Sequence, residues 1–243
     1  MIRKAQKKRP AKQGKPRVLH DLVTNRAIHR ATHEQYRDKV LRRYGGPQGA
    51  LLAVASTLSG HIAAGDRLLR ERTFDLRGCK SILDIGSGAG QLVKPILRYA
   101  DEDAQVCGCD LSAMMLRRAR ARLKTDRPSF TTADLAHLPF ADESFDCITC
   151  GYVLEHLPDA SVGLREMARV MRPGGRMLLL VTEDSFSGAW TSRIWSCRTH
   201  NRRDLQEACQ QIGLEWKKEL WFSRWHQLLR AGGICVEIEK RCA

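Results

Sequence analysis

The sequence lacks any long run of apolar residues. No stretch approaches the ~18 residues that a membrane-spanning helix needs, and the longest candidate, residues 50–58, contains two hydroxyl side chains. The basic N-terminus is not followed by an apolar segment either, so no secretory signal peptide is expected. With 243 residues, of which 43% are apolar and 28% charged, the chain is expected to be a soluble α/β domain with an N-terminal extension.

Acidic residues are absent from the first 17 positions, where eight residues are basic. Residues 1–45 carry fourteen Lys and Arg against three Asp and Glu, so most of the formal charge of +14 lies in this part. We expect residues 1–17 to be a disordered basic tail. Residues 1–45 could contact RNA or an anionic membrane weakly. Alternatively, the tail only solubilises the protein.

Histidine does not flank the cysteine pairs Cys107-x-Cys109 and Cys147-x-x-Cys150 at a zinc-finger spacing. The chain has nine cysteines, and a metal or redox site is one interpretation of such pairs. The alternative is that they are buried thiols, since free cysteine packs as a small apolar side chain. Both pairs fall in predicted strands that are not neighbours in the expected sheet, so no metal is expected. Free thiols indicate a reducing, cytoplasmic location.

A strand, a glycine-rich turn and a helix follow one another from residue 81 to residue 99. Residues 81–85 form a short apolar run that is typical of a buried parallel strand. Gly86, Gly88 and Gly90 follow, and glycine allows both a sharp turn and close approach of a ligand. Apolar residues at 92, 93, 96 and 97 have helical spacing. This order predicts a nucleotide-binding turn.

No lysine follows these glycines in the manner of a phosphate-binding loop, so phosphate binding is not favoured. Asp84 precedes the first glycine, and a carboxylate there suits a ligand that carries a cationic amine. Asp110 ends the second predicted strand, where a carboxylate is placed to accept both hydroxyls of a ribose.

Strands alternate with helices from residue 81 to residue 181, and the Arg-Pro-Gly-Gly segment at 172–175 is expected to be a turn between the last of these helices and the fifth strand. This alternation predicts a Rossmann-like, mostly parallel sheet with helices on both faces. Two later strands, at 214–222 and 232–239, extend it to seven strands, with the last one antiparallel. Residues 76–243 are the expected domain. Residues 18–75 are expected to be an N-terminal helical extension that could cap the ligand site or could equally only pack against the domain. Residues 183–200 are expected to be an irregular lid or substrate loop, or a loop packed under its own aromatic side chains.

Three acids occupy the carboxyl ends of three successive predicted strands, namely Asp84, Asp110 and Asp134. Strand interiors disfavour aspartate, and in an open parallel sheet the ligand lies at the carboxyl ends of the strands. We therefore expect the three carboxylates to share one binding crevice.

Five motifs resemble those of the class I S-adenosylmethionine-dependent methyltransferases, in particular the ubiquinone/menaquinone-type small-molecule branch. They lie at residues 83–90, 108–115, 133–146, 154–157 and 166–175. The resemblance covers residues 80–182, while 183–243 match only in topology and 1–75 do not match. It implies that the cofactor is S-adenosyl-L-methionine.

The resemblance also implies roles for individual residues. Asp84 would lie near the amino group of the cofactor, Asp110 would bind the ribose, and Asp134 the adenine amino group. The other cofactor-binding residues that it implies are Gly86, Ser87, Gly88, Gly90, Leu111, Met115, Leu135 and Gly151. If the reaction uses a general base, His156 is the candidate, and the alternative is that His156 only hydrogen-bonds a loop. Tyr152 would face the sulfonium or shape the acceptor site.

The methyl acceptor is expected to be a small molecule, apolar, aromatic or lipid-like. Large aromatic side chains in the second half of the chain could line an apolar site, namely Trp190, Trp195, Trp221, Phe222 and Trp225. They could equally pack the core. RNA or protein methylation is the alternative that the basic tail suggests, although no Asn-Pro-Pro-Tyr-type segment follows the fourth strand. A third hypothesis is a cofactor-binding partner subunit without activity, against which the three acids argue.

Overall fold

The computed structural model describes residues 61–195, 197–221 and 233–242, with isolated positions between 32 and 42. The expected tail and most of the first and second predicted helices lie outside the described residues. The described end of the second helix is α1, His61–Arg70.

From residue 61 onward, the described residues form six helices and seven strands. After α1 come β1 Ser81–Ile85, α2 Val93–Tyr99, β2 Gln105–Asp110, α3 Ala113–Leu123, β3 Ser129–Thr132, β4 Phe145–Gly151, a 3-10 turn Leu154–His156, α4 Ala160–Val170, β5 Met171–Val181, α5 Phe186–Trp195, α6 Arg202–Gln211, β6 Leu214–Glu219 and β7 Ile234–Lys240. The alternation predicted for residues 81–181 is present except between β3 and β4, which no helix separates. Ser112 caps α3 as its position before an apolar face predicts, by accepting a hydrogen bond from the Met115 amide.

The strands form a single sheet in the order β3-β2-β1-β4-β5-β7-β6. β7 is antiparallel to both of its neighbours, and the other pairs are parallel. This confirms the predicted Rossmann-like sheet. The strand order reverses between β1 and β4, and the crevice outside their carboxyl ends is the usual ligand site of such sheets.

Two apolar clusters cover the two faces of the sheet. One joins Leu164 and Met167 of α4 with Leu83 and Ile148 of the central strands. The other joins α1 and α2 with Ile82 and residues of β2, β4 and β5. Because Ile82 and Leu83 are adjacent and face opposite clusters, β1 is buried on both sides, which explains its nearly continuous apolar sequence.

Two expectations about the second half of the chain are wrong. Residues 186–195 form a helix, α5, instead of an irregular loop. Trp190 on this helix is 59% exposed, so it does not pack the core. β5 also begins at Met171, before the predicted turn at 172–175. Its register with β4 shifts between Met171 and Arg176, so those residues form a bulge.

Replacement of a core leucine tests this packing. Leu164 is fully buried in α4, and Leu164→Ala is expected to lower the free energy of unfolding by about 2–5 kcal/mol in urea denaturation. The control is Arg165→Ala on the same helix, whose exposed side chain only meets Ser161 and should change stability by less than about 0.5 kcal/mol. Equal losses in the two variants would contradict the assigned helix face.

Candidate functional site

The turn after β1 requires glycine at its first position. Gly86 has φ of 75°, a conformation that other residues adopt only with strain. A Cβ atom on Gly86 would lie 2.0 Å from a methyl carbon of Val153. The turn therefore lies directly against the segment that follows β4, with no space for a side chain between them.

Backbone amides tie this turn to the end of β2. The N–H groups of Gly86 and Ser87 both donate to the carbonyl of Cys109, at 2.8 and 2.9 Å. The Gly88 N–H donates to one carboxylate oxygen of Asp110 at 2.9 Å, and the Ser112 N–H donates to the other at 2.8 Å. Burial raises the pKa of Asp110. Each of its oxygens keeps one lone pair that can accept from a ligand hydroxyl.

Asp84 is almost completely enclosed, with 1% of the residue exposed. One carboxylate oxygen accepts from the Thr149 hydroxyl at 2.5 Å, and the other has no hydrogen-bond partner. Burial raises the pKa of Asp84 to about 6. A buried, unpartnered carboxylate oxygen is destabilising unless a donor reaches it, and a ligand ammonium would be such a donor.

Asp134 and Leu135 form a tight turn after β3. The Ala133 N–H donates to the Asp110 carbonyl at 3.0 Å, so this turn starts beside the end of β2. The Asp134 carboxylate accepts from the Ala136 N–H at 2.9 Å, and Leu135 is buried in the core. The structure thus brings the three predicted acids to neighbouring strand ends.

Met115 and Leu111 flank the glycine turn on the α3 side. The Met115 side chain is buried, and its methyl carbon would lie 3.6 Å from a Cβ atom on Gly88. Leu111 follows Asp110 and is half-buried. Gly90 completes the turn against Ala119. These positions agree with an apolar wall beside the predicted cofactor.

The segment after β4 holds the other predicted residues. Gly151 ends the strand close to Leu92, and Tyr152 follows with φ of 58°. Desolvation raises the pKa of Tyr152 well above its usual value, so its phenol stays protonated and can donate a hydrogen bond. His156 is half-buried at the end of the 3-10 turn.

Three residues of this region were not predicted from the sequence as part of the site. Thr149 donates a hydrogen bond to Asp84. These two residues are partners in the parallel register of β1 and β4, so pairing the two predicted strands could have identified Thr149. Val153 closes the space above Gly86. Glu155 is buried, bonds the Thr182 hydroxyl at 2.8 Å, and has a pKa that burial raises to about 7.

Two further findings concern only the described residues. None of their helices combines the length and the apolar character needed to cross a membrane. They also contain no group of three or more His, Cys, Asp or Glu residues that could hold a metal ion.

The raised pKa of Asp84 gives a prediction for the free protein. A carboxyl group whose folded-state pKa exceeds its unfolded value stabilises the fold at low pH, and this stability is lost as pH rises from about 4 to about 6. We therefore expect Asp84→Asn to be more stable than the wild type at pH 7.5 by about 2–3 kcal/mol, and to show little difference at pH 4.

Urea denaturation at each pH measures this difference. Asp103→Asn is the control, because Asp103 is exposed and its ion pair with Lys80 lowers its pKa. That variant should show no gain at pH 7.5. A constant difference between Asp84→Asn and the wild type across this pH range would refute the assignment of a buried, unpaired charge.

Comparison with known proteins agrees with this geometry. Residues 83–179 match the family model described as a methyltransferase domain. Over 121 residues the chain is 39% identical to a ubiquinone/menaquinone biosynthesis C-methyltransferase of Hahella chejuensis, covering 47% of this chain and 49% of that protein. It is also 38% identical over 122 residues to the methyltransferase GfsG of Streptomyces halstedii, covering 48% and 43%. The chain thus spans about half the length of these curated relatives.

Solved structures share the fold. Magnesium protoporphyrin IX methyltransferase from Synechocystis PCC 6803, with bound S-adenosylhomocysteine, superposes with a TM-score of 0.60 at 21% identity, over 76% of this chain and 84% of that one. A Haloferax volcanii methyltransferase in complex with the activator Trm112 gives 0.64 at 19% identity, over 77% and 93%. Residues 83–179 are thus similar to a methyltransferase domain, the chain resembles the ubiquinone/menaquinone-type methyltransferases over about half of its length, and its fold is shared with solved methyltransferases.

Proposed function

We propose that the protein transfers a methyl group from S-adenosyl-L-methionine to a small-molecule acceptor that is apolar, aromatic or lipid-like. The observation that carries this proposal is the unpartnered, buried carboxylate oxygen of Asp84 at the strand-order reversal. A cofactor that bears an α-ammonium group provides the missing donor. The methyltransferase family match supports the same cofactor.

The other predicted residues would bind the rest of this cofactor. The lone pairs that remain on Asp110 would accept from the ribose hydroxyls, and Asp134 from the adenine amino group. The backbone of Gly86 and Gly88 would line the methionine part, since no side chain separates it from the turn. Met115 would pack against the adenine.

When bound, the cofactor supplies an electrophilic methyl group on a cationic sulfur. The protein then has to hold an acceptor atom in line with that methyl group and to exclude water. Gly151 ends β4 and Tyr152 follows it, at the carboxyl end of the strand where the acceptor would lie. Because the pKa of Tyr152 is raised, its phenol stays protonated and would orient the acceptor by donating a hydrogen bond.

A small acceptor is supported by the relatives named as ubiquinone/menaquinone and magnesium protoporphyrin IX methyltransferases. Trp190 supports it too, because an indole that is 59% exposed on the helix after β5 is available to an apolar compound or a lipid. RNA or protein methylation and a non-catalytic role are the alternatives that the experiment has to separate.

Cofactor binding is the first test. Calorimetry with S-adenosylhomocysteine should show binding to the wild type, and Asp110→Ala should weaken it at least about tenfold, since two ribose hydroxyls lose their acceptor. Asp103→Ala is the control, because this exposed acid lies at the opposite end of β2, and it should bind like the wild type. Equal affinities in the three proteins would contradict the proposed site.

Methyl transfer from labelled cofactor to pools of small apolar compounds, lipids and RNA then identifies the acceptor class. The proposal expects product in a small-molecule or lipid pool. Transfer to RNA alone, lost on deletion of residues 1–17, would establish the RNA alternative instead. Binding of the cofactor without transfer to any pool would favour the non-catalytic role.

His156 is proposed as the general base where the acceptor has a proton to lose. With the identified acceptor, His156→Ala should lower kcat by a factor of about 10²–10⁴ and remove a pH dependence near the histidine pKa. His156→Gln is the comparison variant, because it keeps a hydrogen-bonding side chain but cannot take up a proton near neutrality. Turnover at the wild-type rate in both variants would show that no base acts at this position.

A further inference from the structure

Arg169 on α4 binds the loop that leads from the Asp134 turn to β4. Its guanidinium donates to the carbonyls of Leu138 and Phe140, at 2.9 and 2.8 Å. It also donates to the Asp142 carboxylate at 2.7 Å. One side chain thus holds three points of residues 138–142, which we call the 138–142 loop.

Glu166, one turn earlier on α4, completes this arrangement. Its two carboxylate oxygens each accept from Arg169 at 2.9 Å. One of them also accepts from the Leu138 N–H at 2.8 Å. Both backbone groups of Leu138 are therefore bound by one ion pair. Arg169 holds the pKa of Glu166 below its usual value, so the pair stays charged near neutrality.

The loop is continuous with the turn that carries Asp134. The His137 N–H donates to the Asp134 carbonyl at 2.9 Å, and Leu138 is the next residue. At the other end, the Ala133 N–H bonds the Asp110 carbonyl. The Asp134 turn is thus held between the end of β2 and the ion pair on α4.

Leu135 reinforces this connection to α4. Its methyl carbon would lie 3.0 Å from a Cβ atom on Gly163, so the turn packs closely on the same helix. The position of Asp134 relative to the crevice therefore depends on α4 as well as on β3.

We propose that Arg169 and Glu166 are positioning residues that set Asp134 and Leu135 for the adenine of the cofactor. This inference rests on the proposed function. A loop that is ordered before the ligand arrives loses little conformational entropy on binding, whereas a loop released from Arg169 has to be ordered at the expense of affinity. The expected defect is therefore in cofactor binding and not in the chemical step.

A double-mutant cycle tests this inference through the dissociation constant of S-adenosylhomocysteine. Arg169→Lys keeps the charge but cannot span the three loop contacts, and it should weaken binding about tenfold. Asp134→Ala should also weaken binding. If Arg169 acts through Asp134, the double variant should bind no more weakly than Asp134→Ala, because residues in one network are not additive.

The matched control is Arg172→Lys. Arg172 lies three residues further along and binds Asp146 and the Glu143 carbonyl, beyond the 138–142 loop. It should not change the dissociation constant. Glu166→Gln, which keeps an acceptor for the Leu138 N–H, should give a smaller loss than Arg169→Lys. Once the acceptor is known, both α4 variants should raise KM for the cofactor and leave kcat unchanged.

The outcomes separate the two proposals. If the wild type does not bind S-adenosylhomocysteine, the proposed function fails, and the positioning role fails with it. If the wild type binds but the effects of Arg169→Lys and Asp134→Ala simply multiply, or Arg172→Lys is equally impaired, only the positioning role is overturned. Thermal unfolding of each variant shows whether a loss of binding comes from loss of the fold. If Arg169→Lys is unfolded, the dissociation constant of Glu166→Gln tests the positioning role instead, and wild-type affinity in that variant overturns it.

Discussion

The site depends on one buried carboxylate, that of Asp84, which has a hydrogen bond on one oxygen and none on the other. Such a group is destabilising in the core, and its raised pKa of about 6 expresses that penalty. This carboxylate lies where the strand order reverses, which is where a ligand would be bound. A cationic amine would remove the penalty, so binding of such a ligand and stability of the fold are coupled at this residue.

A continuous series of hydrogen bonds relates this carboxylate to the other strand ends. Thr149 links Asp84 to β4, the glycine turn links β1 to β2 through Cys109 and Asp110, and the Asp110 carbonyl links β2 to the turn after β3. The strand ends that carry the three acids are therefore linked by backbone hydrogen bonds, and side-chain hydrogen bonds fix Asp84 and Asp110 within them. Arg169 and Glu166 extend the series to a helix, and this extension motivates the proposed role in adenine binding.

Local patterns were sufficient where the structure is local. The apolar run before Gly86, the cap at Ser112 and the acid at Asp110 each reflect the chemistry of a few consecutive residues, and all three lie where they were predicted. The prediction failed at residues 183–200, which lack a clear apolar period although Phe186–Trp195 within them form α5. The buried positions of that helix include Ala189 and Ser192, which give little apolar signal, while the large apolar side chain of Trp190 is exposed, so periodicity could not reveal the helix.

The sequence by itself determined the Rossmann-like sheet, the order of its strands along the chain and the positions of Asp84, Asp110 and Asp134 at strand ends. Only the tertiary structure decided that Thr149 satisfies Asp84, that Val153 closes against Gly86 and that Arg169 binds the 138–142 loop. These contacts join residues that lie 65, 67 and about 30 positions apart. Strand and turn preferences act between neighbouring residues, whereas such partners meet only once the strand register and the helix packing have brought their segments together.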